Sequence, residues 1–193
     1  NVKNGALDVT SWFKSQSGVI YAGPVLYKVT GNVSDVKIAD KTISIADNAV
    51  NNKTVKAVTI PATVKYIGAY AFANLTALEE IVLPSTLEFI EYGAFYQCSS
   101  LEKITFSGED NLKIISQHAF EGCALKGSLD FKSICVISNY AFAGCDQLES
   151  ITMADTLLSI GEYAFAGCKK LGAVTVNAAK VKYGPYAFTN CEA

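Results

Sequence analysis

The stretch YAFAGCDQLESITM (residues 140–153) has a near copy at YAFAGCKKLGAVTV (163–176) and another at YAFANLTALEEIVL (70–83). Such self-similarity has to be settled first, because it turns each copy into a structural unit instead of an isolated motif. Aligning on the phenylalanine of the Ala-Phe pair puts Phe72, Phe95, Phe120, Phe142, Phe165 and Phe188 in one column, at steps of 23, 25, 22, 23 and 23 residues. A step of 22 back from Phe72 reaches Val50, in the weaker copy ISIADNAV (43–50). Six to seven turns therefore fill most of the chain.

Each turn follows a pattern close to I-x-x-Y-A-F-x-x-C-x-x-L-x-x-I-x-L-P. The distance from the Phe to the last apolar residue of the next strand is always eleven, as from Phe72 to Leu83 and from Phe142 to Met153. Length varies only after that point. FSGEDNLKII (106–115) is two residues longer than LPSTLEFI (83–90), and FKSICVI (131–137) is one shorter. Loops absorb such changes and cores do not, so the constant part is the scaffold.

The segments EEIVL, EKITF, ESITM and GAVTV alternate apolar with polar residues and are rich in β-branched side chains, which marks strands with one buried face. Ile81, Ile104, Leu129, Ile151 and Val174 should point inward, as should Leu83, Phe106, Phe131, Met153 and Val176. The stretch from Ala-Phe to the following Leu is too short for an independent helix and reads as a turn or two of helix or 3-10 helix. No single turn can bury its own apolar side, and stacking neighbours solves that. The predicted architecture is an α/β repeat solenoid with a parallel β-sheet, about 23 residues per turn, and short helical or 3-10 segments on the other side. Residues 43–193 form the solenoid and residues 1–42 a lead-in with a β-hairpin. The chain stops at YAFTNCEA, before the expected Leu and strand, which reads as a fragment of a longer array or an incomplete last turn.

These turns resemble the BspA-like leucine-rich repeats, marked by an Ala-Phe pair, a Cys or Asn three residues later and a strand ending in Pro, as at Pro61 and Pro84. The opening WFKSQSGVIYAGPVLYKVTG (12–31) is similar to the lead-in of such proteins. The resemblance implies a right-handed leucine-rich-repeat solenoid, or horseshoe. It also implies a cell-surface or secreted, extracytoplasmic protein of a host-associated microbe, linked with adhesion. Leu75 in place of Cys, Gly93 in place of Tyr, and the missing Pro in later turns depart from the pattern.

Composition narrows the function. A net charge of -2 and the lack of any Lys/Arg cluster argue against nucleic acid. No apolar run approaches a membrane span of about 18 residues. The N-terminus lacks the basic and apolar regions of a signal peptide, so any such segment lies outside this sequence or the protein is cytosolic.

Cys98, Cys123, Cys145, Cys168 and Cys191 fall in one column, three residues after the Phe. Buried free thiols, disulfides and a metal site are the readings open to them. Parallel Cβ vectors on successive turns sit nearer 5 Å apart than the roughly 3.8 Å a disulfide prefers, which favours structural free thiols. Cys135 lies outside the column and finds no place in the pattern.

His118 is the only histidine and occupies the column of Tyr70, Tyr140, Tyr163 and Tyr186. A multi-histidine metal site is thus excluded, and any catalytic base would be His118 alone. No phosphate loop, dinucleotide fingerprint or nucleophile elbow occurs. Glu79 with Glu80, and Glu109 with Asp110, read as solvated charges; Glu109 and Asp110 lie in the longest connector, where a weak cation site is the alternative. No enzyme activity, cofactor or metal is expected.

The outward strand residues Thr59, Val82, Thr105, Asp130, Thr152 and Thr175, with Lys103 two positions before Thr105, form the candidate ligand-binding face. The competing reading is that Thr merely favours strands there. Small side chains would give a flat face, suited to a protein or extended glycan more than to a small molecule. Trp12, Phe13, Tyr21 and Tyr27 are a second contact patch or a cap over the first turn. The leading expectation is a surface or secreted adhesion protein recognising host or microbial macromolecules, such as extracellular-matrix or plasma proteins or glycans. The alternative is a spacer that presents other domains and has no ligand of its own.

Overall fold

The computed structural model describes residues 18–176 and 180–192. It opens with an antiparallel hairpin, β1 (Val19–Ala22) and β2 (Val25–Val29). A longer strand and a two-residue strand then alternate: β3 (Asp35–Lys37), β4 (Ser44–Ile45), β5 (Ala57–Thr59), β6 (Tyr66–Ile67), β7 (Glu80–Leu83) and β8 (Phe89–Ile90). The alternation continues through β9 (Lys103–Phe106), β10 (Ile114–Ile115), β11 (Gly127–Phe131) and β12 (Val136–Ile137). It ends with β13 (Leu148–Met153), β14 (Ser159–Ile160), β15 (Ala173–Val176) and β16 (Lys182–Tyr183).

Each circuit of the chain adds one strand to each of two ladders. The two-residue strands follow the hairpin in a nine-stranded sheet, β1-β2-β4-β6-β8-β10-β12-β14-β16, parallel from β2 onward. The longer strands form parallel sheets too, but two of them: β3-β5-β7-β9 and β11-β13-β15. The result is a parallel β-solenoid of about seven turns, each near 23 residues.

The third side of each turn departs from expectation. Consecutive turns, and no helix among the described residues, follow the Ala-Phe pair. The cause is the direction of alternate amides. Tyr70 N, Phe72 N and Asn74 N donate to Tyr92 O, Ala94 O and Tyr96 O of the next circuit at 2.8–2.9 Å. Between them Ala71 N and Ala73 N close local turns on Gly68 O and Tyr70 O at 3.2 Å. A helix would need every amide for itself. Here half of them run along the solenoid axis instead, and left-handed φ values at Tyr70 (53°) and Asn74 (60°) break any helical run.

The core is as linear as the fold. Rings in the Phe column, from Phe72 to Phe188, stack with centroids 5.0–5.3 Å apart. The second residue of each two-residue strand, from Ile45 to Ile160, is buried against them. Each such aliphatic or aromatic side chain contributes roughly 1.5–3 kcal/mol by leaving water. Of the inward strand positions, Ile81, Ile104, Leu129, Ile151, Leu83, Phe131 and Met153 are buried, and Phe106 and Val176 partly so. Val174 differs, at 38% exposed, because β15 is the outermost strand of its sheet among the described residues. At the other end Tyr27 is fully buried, and the half-buried Tyr21 accepts a hydrogen bond from Ala39 N at 2.8 Å. Trp12 and Phe13 lie outside the described residues.

Candidate binding surface

The seven outward residues stand on the longer strands: Thr59 on β5, Val82 on β7, Lys103 and Thr105 on β9, Asp130 on β11, Thr152 on β13 and Thr175 on β15. All are exposed except the half-buried Thr105. Register joins Thr59 to Val82 and Val82 to Thr105, and separately Asp130 to Thr152 and Thr152 to Thr175. No rung links Thr105 to Asp130. The single ladder implied by the repeat is two shorter rows, with an interruption between β9 and β11.

The surface is not flat. Beside the second row lies a groove of about 550 Å³, lined by Asp130, Lys132, Thr152, Met153, Asp155 and Thr175 among others. Its floor is apolar along the half-buried Ala154 and Val176, and its charges are partly neutralised by an ion pair between Lys132 and Asp130. At the interruption a cleft opens between the strands. One part of it, about 390 Å³, is lined by Lys103, Thr105 and Ser128; the next, about 430 Å³, by Thr105, Glu109, Asp110, Asp130 and Lys132.

Asp110 corrects another expectation. It is only 6% exposed, whereas its place in a projecting loop suggested a solvated charge. Its Oδ2 accepts a hydrogen bond from Lys132 N at 2.7 Å, and its backbone oxygen one from Ser133 Oγ at 2.9 Å. Oδ1 is buried without a partner. A 25-residue step followed by a 22-residue one was the sequence signal for this irregularity, since the long connector overhangs the short one. Among the described residues no three His, Cys, Asp or Glu side chains converge as a metal site would require.

The cysteine column is free of disulfides. Each thiol has a defined acceptor in the preceding turn: Cys98 Sγ donates to Phe72 O at 3.1 Å, and Cys123, Cys145, Cys168 and Cys191 donate to Phe95, Phe120, Phe142 and Phe165 O at 3.2 Å. Phe95 O thus receives Cys98 N from its own turn and Cys123 Sγ from the next. Burial pushes the Cys123 and Cys145 thiols well up and Cys168 to about 12, so none of these three is a nucleophile at neutral pH. Cys135 is half-buried beside Ser133 O, at 3.6 Å. His118 stacks on Tyr140 with centroids 5.0 Å apart and pairs through Nδ1 with Glu121.

Repeating circuits, parallel ladders and a Phe-Cys core with an outward Thr row define a leucine-rich repeat solenoid. The chain belongs to the BspA-type leucine-rich repeat family, whose repeat region matches residues 23–135 and 113–193 in six copies. It is similar in structure to the T. pallidum leucine-rich repeat protein, at 27% identity and a TM-score of 0.77, covering 83% of this chain and 77% of that one. A leucine-rich repeat protein from Eubacterium ventriosum shares the fold at 21% identity and a TM-score of 0.73, over 89% of this chain and 47% of its own. The pneumococcal vaccine antigen PcpA does so at 20% identity and a TM-score of 0.52, over 83% of this chain and 56% of its own. This chain therefore spans about half the length of two of these three proteins. No curated protein matches the chain at a significant level. No helix among the described residues is long and apolar enough to cross a membrane.

Proposed function

We propose that this chain is a non-enzymatic binding module of a surface or secreted protein, which recognises host or microbial macromolecules through the outward face of its longer strands. The observation that carries the reading is the groove along Asp130, Thr152 and Thr175, where a row of small polar side chains borders an apolar floor. Such a row presents hydrogen-bonding groups at a repeat of about 4.8 Å, which suits an extended polymer better than a compact metabolite. An extracytoplasmic setting agrees with the thiols. Buried and held protonated, Cys123, Cys145 and Cys168 resist oxidation where exposed cysteines would not survive.

The test is direct binding to a panel of matrix and plasma glycoproteins, mucins and glycans at two salt concentrations. One class should bind saturably, and a Thr105→Arg, Thr152→Arg, Thr175→Arg triple variant should lose at least tenfold in affinity with its melting temperature nearly unchanged. Equal binding by the triple variant would remove the sheet face from consideration. Silence across the panel would leave the chain a spacer.

A further inference from the structure

Between β9 and β11 the outward sheet lacks a rung that the preceding turn makes. There, Ser107 N donates to Leu83 O at 3.0 Å. One turn on, the equivalent amide is that of Lys132, and it goes to Asp110 Oδ2 at 2.7 Å instead of the Phe106 carbonyl. At the opposite end of the strands Lys126 N still reaches Glu102 O at 3.0 Å. Beneath the opening the Phe106 and Phe131 rings meet at 6.2 Å. The two strands are tied at one end, floored by the core, and held apart at the other end by a carboxylate standing where a backbone carbonyl would accept.

By the register of the flanking turns, the Asp130 amide and the Ile104 carbonyl would pair across this opening; both residues line the cleft instead. Two strand edges facing each other across a gap offer alternating donors and acceptors, and an extended backbone is the ligand that matches both at strand spacing. The orphaned Oδ1 of Asp110 adds a second requirement. A buried carboxylate oxygen with no donor is costly, and a ligand that supplies one recovers that cost. The charges around it, Glu109, Asp110 and Asp130 against Lys132, favour a cation.

We infer that this cleft receives one extended segment of another polypeptide, added as a strand between β9 and β11, with a Lys or Arg side chain of that segment bonded to Asp110 Oδ1. This deepens the sheet-face reading and rests on it, because the cleft opens on that same face beside Thr105 and Asp130.

The probe is a library of capped heptapeptides in which each position in turn is fixed as Lys, Arg, Ala or Glu. Pools with Lys or Arg at one position should bind saturably, and Asp110→Asn should weaken them about tenfold or more while leaving the Ala pools unchanged. Asparagine keeps an oxygen for Lys132 N, so the fold survives the change. Methylating alternate amides of the best peptide should abolish binding, a control that needs no protein variant.

Three peptide results would overturn the inference: no pool binding saturably below about 1 mM, Glu pools binding as well as Lys pools, or the N-methylated peptide binding unchanged. Calcium alone shifting the Asp110 and Asp130 amides, with peptides inert, would also overturn it and assign the cleft to a cation. Peptide failure with glycoprotein binding retained sinks the cleft alone. Failure of the Thr→Arg variants to affect the glycoproteins, with peptides still bound, sinks the broader face.

Discussion

At the scale of single residues, the column two positions before each Phe holds an unusual conformation. Tyr70, His118, Tyr140, Tyr163 and Tyr186 all have φ between 53° and 58°, a left-handed region that costs a residue bearing a Cβ roughly 1–2 kcal/mol. Stacking offsets the cost. Tyr140 lies 5.0 Å from the His118 ring and 5.1 Å from that of Tyr163, nearly parallel to both. Outside the stack, which runs from His118 to Tyr186, the column holds Asn48 (φ 50°) and Gly93 (φ 58°), residues at home there, and Tyr70, which has edge contacts with Tyr92 and Tyr96 instead. At Gly93 a Cβ would fall 2.6 Å from Tyr70 Cε1, since the Tyr70 ring leans across instead of stacking. Glycine at position 140 would lose both stacked rings but relax the backbone, whereas alanine would lose the rings and keep the strain. Tyr140→Gly should therefore be more stable than Tyr140→Ala by about 1 kcal/mol, the reverse of the usual order within regular structure. Urea unfolding of the two variants decides it, and alanine equalling or exceeding glycine would refute the argument.

At the scale of elements, the interruption between β9 and β11 is the feature that a repeat pattern alone conceals. Deleting Gly108 and Glu109 brings the long connector to the common length and moves Asp110 into the position of Ser85, at the half-buried rim. Lys132 N should then return to Phe106 O, and the Asp130 amide should exchange with deuterium as slowly as that of Thr152. An Asp130 amide that still exchanges fast after the deletion would show that something other than the connector parts the strands. The inward and outward sides of each strand were legible in the sequence because alternation and the eleven-residue spacing fix them together. The seven outward residues accordingly stand on the longer strands. Their division into two rows was not legible, since the two extra residues read as loop and nothing marked Asp110 as the group that would take over a strand's amide. The helical reading failed for a related reason. Spacing shows that a segment is compact, but which amides bond within the turn and which reach the next depends on the neighbour being there.

At the scale of the whole molecule, the thiol column runs from Cys98 to Cys191 through successive turns, and ionisation of its buried members Cys123, Cys145 and Cys168 should lower stability at high pH. Burial raises Cys123 and Cys145 well above their ordinary value of 9.0 and Cys168 to about 12. In the folded chain Cys168 keeps its proton up to about 12, whereas in the unfolded chain it loses it near 9. The stability tied to the protonated thiol is complete below 9 and is lost as pH rises toward 12. Within that window the unfolded state binds fewer protons, so the free energy of unfolding falls with pH. Each such thiol contributes a slope of up to about 1.4 kcal/mol per pH unit. Tyr70 and Tyr140, also raised by burial, add to the decline mainly around and above their ordinary 10.0, so the thiols lead between 9 and 10 and the Cys145→Ala difference isolates their share. Urea unfolding across that interval should steepen by more than one proton's worth in the native sequence, and Cys145→Ala should remove about one proton of that dependence. In the same samples a thiol reagent at neutral pH should reach only the half-buried Cys135 and Cys191 while the chain is folded, and all six cysteines once it is unfolded. Stability that stays level from pH 9 to 10, or a slope untouched by Cys145→Ala, would mean that the column is wetter than its burial implies. The thiol-to-carbonyl bonds would then be incidental to the stacking of the turns.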